Sequence, residues 1–374
     1  MNTDFLIIGG GCGGLETAIH LRKLVADATI TLVNPKPELI YRPWLIFLPP
    51  RRHRFEELQI SLQKAAATYR LHLVIDTVRR LDHASQRALL ANGEMIDYRS
   101  AVLATGAPAD RERLPGSAQH ALFPCDVEEA LALKEQFLAL KQGHVSVIMA
   151  GERPGPGLEY AGWLATAAQE HWPAGQLQIH VVDDRDSLRA RLGDSALDIF
   201  ARFLARKGAK LIRGQAVRAV HAAGIELENG ASWDSTLTAV VGPLRGADLA
   251  LPAQLVDERG FVRVQPTFQS EHQPDLFAVG DATRLPAGSE LPKTWMTTRQ
   301  QAPLVAQNLV AHARGQELRN FDVEKTRKGA GMAIPDCGGQ TVMVMVRNGR
   351  VLASGHWPLL LRAMVDHRYL KARR

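Results

Sequence analysis

The residues best placed to do chemistry near the start of this chain are three glycines. Gly9, Gly11 and Gly14 form G-x-G-x-x-G within DFLIIGGGCGGLETAIHLR, residues 4–22. The first permits a tight turn and the second close approach of the backbone to a pyrophosphate. The third lets a helix pack on the preceding strand, with its positive N-terminus facing the phosphates. A second glycine cluster follows at Gly151, Gly155 and Gly157. There Arg153 stands where close approach would want glycine, and Pro154 and Pro156 remove amide donors. Asp183, ending the strand after this second loop, sits where an acid grips ribose hydroxyls. Asn34 holds the equivalent place after the first loop, with hydrogen-bonding capacity but no charge. Cys12, Cys125 and Cys337 include no C-x-x-C, which excludes a disulfide framework and an obvious zinc site, so no metal is expected.

The elements that must position these residues follow from periodicity. Phe5–Ile8 is an apolar run too short for a helix and reads as a buried parallel strand, and Leu15–Leu24 has helical spacing. Strands are expected at Thr29–Val33, Leu71–Ile75, Arg87–Leu90, Met95–Tyr98 and Ala101–Gly106, with a helix over Phe55–Tyr69. The AVLATG run brings Thr105 and Gly106 to the carboxyl edge of the first sheet. A helix at Val127–Leu140 leads into a second βαβ unit: strand Val145–Met149, helix Leu158–Glu170, strand Gln178–Val182. Thr238–Val241 with Gly242-Pro243 returns toward the first unit, and LFAVGDAT supplies a strand ending at Gly280-Asp281. A long helix spans Leu291–Val310, strand-like runs occupy Val323–Leu352, and a basic helix closes the chain at Trp357–Arg374.

At 374 residues, length points to two or three domains, and 46% hydrophobic with 22% charged residues describes an ordinary globular protein. The net charge of +6 is scattered, without the basic-aromatic array expected of a nucleic-acid binder. No run reaches the roughly 18 apolar residues of a spanning helix, and the N-terminus enters a strand at once rather than a signal peptide. The expected location is cytoplasmic, or on the cytoplasmic face of a membrane.

Together GGGCGG, ATG and FAVGDAT, with a second βαβ unit between the last two, resemble the FAD-dependent pyridine nucleotide-disulfide oxidoreductase superfamily. Within it, IIGGGCGGLETAIHLRK and LPKTWMTTRQQAPLVAQNL resemble type II NADH:quinone dehydrogenases and sulfide:quinone oxidoreductases. The resemblance implies an α/β fold of two Rossmann-like dinucleotide-binding domains plus a small C-terminal α+β domain. The divisions expected are 1–110 with 236–320 for FAD, 111–235 for NAD(P)H, and 321–374 for the C-terminal domain. It implies FAD held by Gly9, Gly11, Gly14, Asn34, Arg42, Thr105, Gly106, Gly280 and Asp281. The helix opening near Thr294 would point at the flavin pyrimidine edge, where reduced flavin gains negative charge.

The NADH branch implies a nicotinamide dinucleotide held by Gly151, Gly157 and Asp183. Glu159 would lie near the nicotinamide, on the likeness of Gly157-Leu158-Glu159-Tyr160-Ala161-Gly162 to the family's G-V-E-L-A-G. Gln300 and Gln301 match the paired glutamines of the quinone pocket, and ordinary exposed helix positions explain them almost as well. Trp295 and Met296 replace an Ala-Gln pair, so Trp295 narrows that slot or offers a stacking surface. The sulfide branch rests on Pro292-Lys293-Thr294, Leu192-Gly193-Asp194-Ser195 and the segment from Cys125 to Ala130. It makes Lys293, Cys125 and Cys337 candidate catalytic residues beside Glu159. Two further cysteines are expected there, but Arg153 occupies one place and Ala333 rather than Cys337 aligns with the other. The C-x-x-x-x-C of glutathione-reductase-type enzymes is absent.

The expected activity is therefore transfer of electrons from NADH through FAD to a quinone. Sulfur oxidation is one alternative, and a degenerate flavoprotein serving as a binding or assembly partner is another. The C-terminal helix carries Leu360, Leu361, Met364 and Val365 with Arg362, Arg368, Lys371, Arg373 and Arg374. That composition equally suits peripheral contact with an anionic membrane, packing on its own domain, or packing on a second subunit of a homodimer.

Overall fold

The computed structural model describes residues 1–48, 53–151, 154–330, 336–337, 345–347, 350–353 and 357–373. Arg153 and Ala333, on which part of the sequence argument turns, lie outside the described residues.

Two sheets carry the architecture. The first contains β1 (Asn2–Ile8), β2 (Ile30–Asn34), β3 (His72–Ile75), β4 (Val78–Asp82), β5 (Arg87–Leu90) and β6 (Met95–Leu103), in the order β3-β2-β1-β6-β5-β4. The second contains β7 (Gly143–Met149), β8 (Leu177–Asp184), β9 (Ala209–Gln215) and β10 (Leu237–Val241), all parallel, in the order β9-β8-β7-β10. Late in the chain β11 (Leu276–Ala278) pairs in parallel with the carboxyl half of β6, so the first sheet is assembled from distant segments. β1 lies between parallel neighbours, with Phe5 opposite Ile30 on one side and Ser100 on the other. That burial on both faces is why Phe5–Ile8 reads as a continuous apolar run.

Helices α1 (Cys12–Leu24), α2 (Val127–Ala139), α3 (Pro154–His171), α4 (Ser187–Leu192), α5 (Asp194–Arg206), α6 (Trp295–Ala313) and α7 (Trp357–Arg373) flank these sheets. Asp126 caps α2, accepting from the amides of Glu128 and Glu129 at 3.1 and 3.3 Å. α1 and α6 meet closely because Gly13 has no side chain: a Cβ there would stand 3.2 Å from Thr298 Cγ2.

Four expectations are corrected. The helix expected over 55–69 is a 3₁₀ turn (Phe55–Leu58), a strand (Gln59–Ser61) and a shorter helix (Leu62–Tyr69). Ser61 forces that break, pairing with Glu38 and capping the helix by accepting from Lys64 N at 3.1 Å. The two strands expected at 95–98 and 101–106 are one, because β6 exchanges β5 for β11 as neighbour partway along its length. Val323–Ala330 is a helix opened by Asp322, whose Oδ1 accepts from Lys325 N at 2.8 Å; a hairpin follows at 345–347 and 350–353. Finally, β10 pairs with β7, so the second sheet runs past the boundary expected at 235. The apolar run Leu237–Val241 announces a strand but not which sheet it joins.

Candidate nucleotide and redox site

At the first glycine loop the backbone follows the chemistry of the spacing. Gly9 has φ +105°, and a Cβ there would meet Ala104 O at 2.5 Å, so the turn is pressed against the end of β6. A Cβ on Gly14 would lie 1.9 Å from Gly9 O, which leaves α1 packed directly on the turn. Gly11 is different, since among the described residues nothing lies within 4 Å of its absent Cβ. The surface over Gly11 is thus open at the N-terminus of α1, where the helix dipole favours an anion. Asn34 shapes this loop: its Oδ1 accepts from Gly10 N and its Nδ2 donates to Lys36 O, both at 2.7 Å.

Thr105 and Gly106 continue from β6 beside the loop, and Gly106 (φ +72°) also faces open space. Asp281 lies in the 3₁₀ turn Gly280–Ala282 that follows β11, where Gly280 has φ +75°. Lys293 Nζ braces this turn by donating to the carbonyls of Asp281 and Thr283 at 2.7 and 2.8 Å, and it stands 4.0 Å over the Phe261 ring. Thr294 caps α6 by accepting from Thr297 N at 3.2 Å. The open face over Gly11, framed by Gly106, Asp281 and the start of α6, suits a long dinucleotide such as FAD. When bound, that group supplies two-electron redox chemistry.

The second unit is engaged differently. Gly151 has φ +89°, and Gly157 allows α3 to lie on Met149, where a Cβ would meet Met149 Cγ at 2.5 Å. Asp183 is fully buried. It accepts from Ser187 Oγ at 3.1 Å and from the amides of Leu188 and Arg189 at 2.8 and 3.4 Å, holding the first turn of α4. Burial is the largest influence on its carboxyl and raises its pKa above the ordinary value. Glu159 is also buried: it pairs with Arg362 of α7 and accepts from Asp336 N at 3.0 Å. Both acids expected to face a nicotinamide dinucleotide have intramolecular partners.

All three cysteines are free thiols. Cys125 lines a cavity of about 270 Å³ with Arg42, Thr105, Asp126, Val241 and Asp248. Arg42 Nη1 donates to the Cys125 carbonyl at 3.1 Å, linking the segment before the second unit to the first. The cavity lies where the carboxyl ends of both sheets meet, since Thr105 follows β6 and Val241 ends β10. Cys337 is buried against Gly162 and lies 3.8 Å from Leu158 O; burial pushes its thiol pKa well up. Cys12, in the first turn of α1, is also raised, chiefly by burial and next by Glu16.

Among the residues expected at an acceptor site, Trp295 packs edge-on against Tyr41 and Tyr369, with ring centroids 5.3 and 4.8 Å apart, and Arg299 lies over it at 4.8 Å. Trp295 Nε1 is buried without a hydrogen-bond partner among the described residues. Gln301, expected in a pocket wall or on an exposed helix face, is buried and its Oε1 accepts from Gly280 N at 2.7 Å. Gln300 is exposed and accepts from Thr326 Oγ1 at 3.0 Å. Sequence reading missed Glu16, Asp366 and the inward roles of Arg362 and Arg373. In sequence the two arginines are part of the positive charge of the C-terminal helix, with no partner assigned to either. Of the arrangements open to that helix, α7 packs on its own chain, leaving Leu360 and Met364 exposed on its outer side.

Residues 3–302 match the pyridine nucleotide-disulphide oxidoreductase family. The chain belongs to it. As a member of that family, the chain resembles the sulfide-quinone reductase of Aquifex aeolicus, with 24% identity over 90% of this chain and 82% of that one. It resembles the demethylphylloquinone reductase of Synechocystis at 25% identity, over 83% and 80% of the two chains. Among solved structures, the Aquifex aeolicus sulfide:quinone oxidoreductase superposes with TM-score 0.86 at 20% identity, covering all of this chain and 91% of that one. NDH2 of Plasmodium falciparum, solved with NADH, gives 0.79 at 12% identity over 98% and 94%. These likenesses establish the fold of two-dinucleotide-binding-domain flavoprotein reductases. Among the described residues no helix is long and apolar enough to cross a membrane.

Proposed function

We propose that this oxidoreductase carries electrons through FAD to a quinone, and that its donor is a small sulfur nucleophile entering at the Cys125 cavity rather than NADH. The quinone relatives support the acceptor, and Trp295, held edge-on by the buried rings of Tyr41 and Tyr369, places an aromatic side chain at the start of α6. The observation that carries the donor assignment is the engagement of Asp183 by α4 and of Glu159 by Arg362. Cys125 meanwhile faces a cavity beside Thr105, at the edge of the surface suited to FAD. In this reading Gly11 and the start of α1 hold the pyrophosphate, and Lys293 fixes the Asp281 turn. The N-terminus of α6 favours the charge that develops on reduction.

NADH remains the second reading, favoured by the intact parallel sheet and by the glycines at the mouth of the second unit. Anaerobic mixing of the flavin-loaded protein with one equivalent of sulfide or of NADH separates the two. Bleaching by sulfide that slows at least tenfold in Cys125→Ala supports the first. Rapid bleaching by NADH with none by sulfide overturns it.

A further inference from the structure

The two glycine helices share a short repeat. Gly14-Leu15-Glu16-Thr17-Ala18 in α1 matches Gly157-Leu158-Glu159-Tyr160-Ala161 in α3, so each unit sets a glutamate two residues beyond the glycine that seats its helix. Both glutamates are buried, Glu16 at 3% and Glu159 at 6% exposure. An ionised carboxylate in such surroundings requires a cation.

One helix supplies both cations. Arg373 of α7 donates through Nε to Glu16 Oε1 at 2.9 Å and through Nη2 to Glu16 Oε2 at 3.0 Å, a two-pronged pair. Three helical turns earlier, Arg362 pairs with Glu159, its Nη2 donating to Oε2 at 3.2 Å. At 1.5 Å of rise per residue the two arginines lie roughly 16 Å apart along the same helix face. Between them Asp366 accepts from Tyr41 Oη at 2.7 Å and Trp44 Nε1 at 3.1 Å, and Arg362 Nε lies 3.7 Å from its carboxylate. Tyr369, on the same face, packs edge-on against Trp295 at the start of α6.

We propose that α7 is an ionic strap that fixes the two glycine helices relative to each other, with Arg362 and Arg373 as positioning residues for the flavin. Each grips the glutamate of one helix, and the stiffness of α7 sets the separation of the helix N-termini. The consequence is that a pair anchored in the second unit governs how firmly FAD is held in the first. This inference rests on the FAD assignment, which the visible spectrum of the unaltered protein tests separately.

The test uses neutral pair replacements, Glu159→Gln with Arg362→Met and Glu16→Gln with Arg373→Met, because single arginine losses would strand a buried charge and could prevent folding. FAD affinity is read from flavin fluorescence on titration, and the flavin environment from visible circular dichroism. Far-ultraviolet circular dichroism checks that each variant is folded. The strap predicts that the Glu159/Arg362 pair variant, folded, loses at least tenfold in FAD affinity and changes the flavin dichroism. Arg362→Lys, which retains a cation, should restore most of the affinity. A folded Glu159/Arg362 variant that binds FAD with unaltered affinity and dichroism would overturn the strap, even if the Glu16/Arg373 variant were impaired. Unaltered protein that takes up no FAD would count against the FAD assignment instead.

Discussion

The glycine loop makes a prediction in which two neighbouring alanines behave differently. In Gly14→Ala the new Cβ would begin 1.9 Å from Gly9 O and must retreat by roughly 1.5 Å to reach ordinary contact. Gly9 cannot yield, since Ala104 O is already 2.5 Å from where its own Cβ would stand. α1 must therefore lift from β1, an overpacking strain that costs about 1–3 kcal/mol of stability. In Gly11→Ala the added methyl meets no atom of the described residues within 4 Å, so the folded chain without cofactor should lose only the preference for glycine over alanine at the N-cap of α1, about 0.5–1 kcal/mol. That methyl enters the space assigned to the pyrophosphate, and a tenfold loss of FAD affinity corresponds to about 1.4 kcal/mol. Urea unfolding of the cofactor-free protein should lower the midpoint of Gly14→Ala clearly further than that of Gly11→Ala. Fluorescence titration should show weakened FAD binding in both variants. If Gly11→Ala bound FAD with unaltered affinity, the pyrophosphate would not lie over Gly11 and the site would have to be redrawn. If Gly14→Ala were as stable as the parent, the contact argument itself would fail.

Two further outcomes follow from hydrogen bonds inside the first unit. Gln301→Leu removes the acceptor of the buried Gly280 amide and should destabilise the fold by about 1–3 kcal/mol, read as a lower urea midpoint, with quinone KM affected less than FAD retention. Asp4 accepts from Thr29 N and Thr29 Oγ1 at 2.8 Å each, and the backbone amide is the main reason its pKa lies below the ordinary 3.8. A depressed carboxyl stabilises the fold above its unfolded value and loses that contribution as pH falls through the folded value. The stability gap between the parent and Asp4→Asn should therefore be widest near neutrality and narrow below about pH 4; a gap that widens in acid would contradict the assignment.

Several features were legible because they are local. The apolar run Phe5–Ile8, the three glycines and the helical spacing after them specify strand, turn and helix within a few residues of one another, and the backbone follows them. Thr294 at the start of α6 and the glycine-ended strands were equally readable, since caps and positive φ are properties of short segments. Cys125 was identified from its neighbours in sequence, whereas the cavity it lines draws Arg42, Thr105 and Val241 from three separate regions.

Sequence alone therefore determined the order of units and the placing of the glycine loops at the mouths of parallel sheets, because periodicity and turn chemistry act over a few residues. The tertiary structure decided what each buried acid does. Asp183 accepts from the first turn of α4, and Gln301 bonds a glycine amide. Glu16 and Glu159 each meet an arginine from the far end of the chain. A carboxylate reads identically in sequence whether it faces solvent, a ligand or a cation brought by a remote helix. Only packing determines which partner comes within hydrogen-bonding distance, and in a buried setting that partner fixes its role.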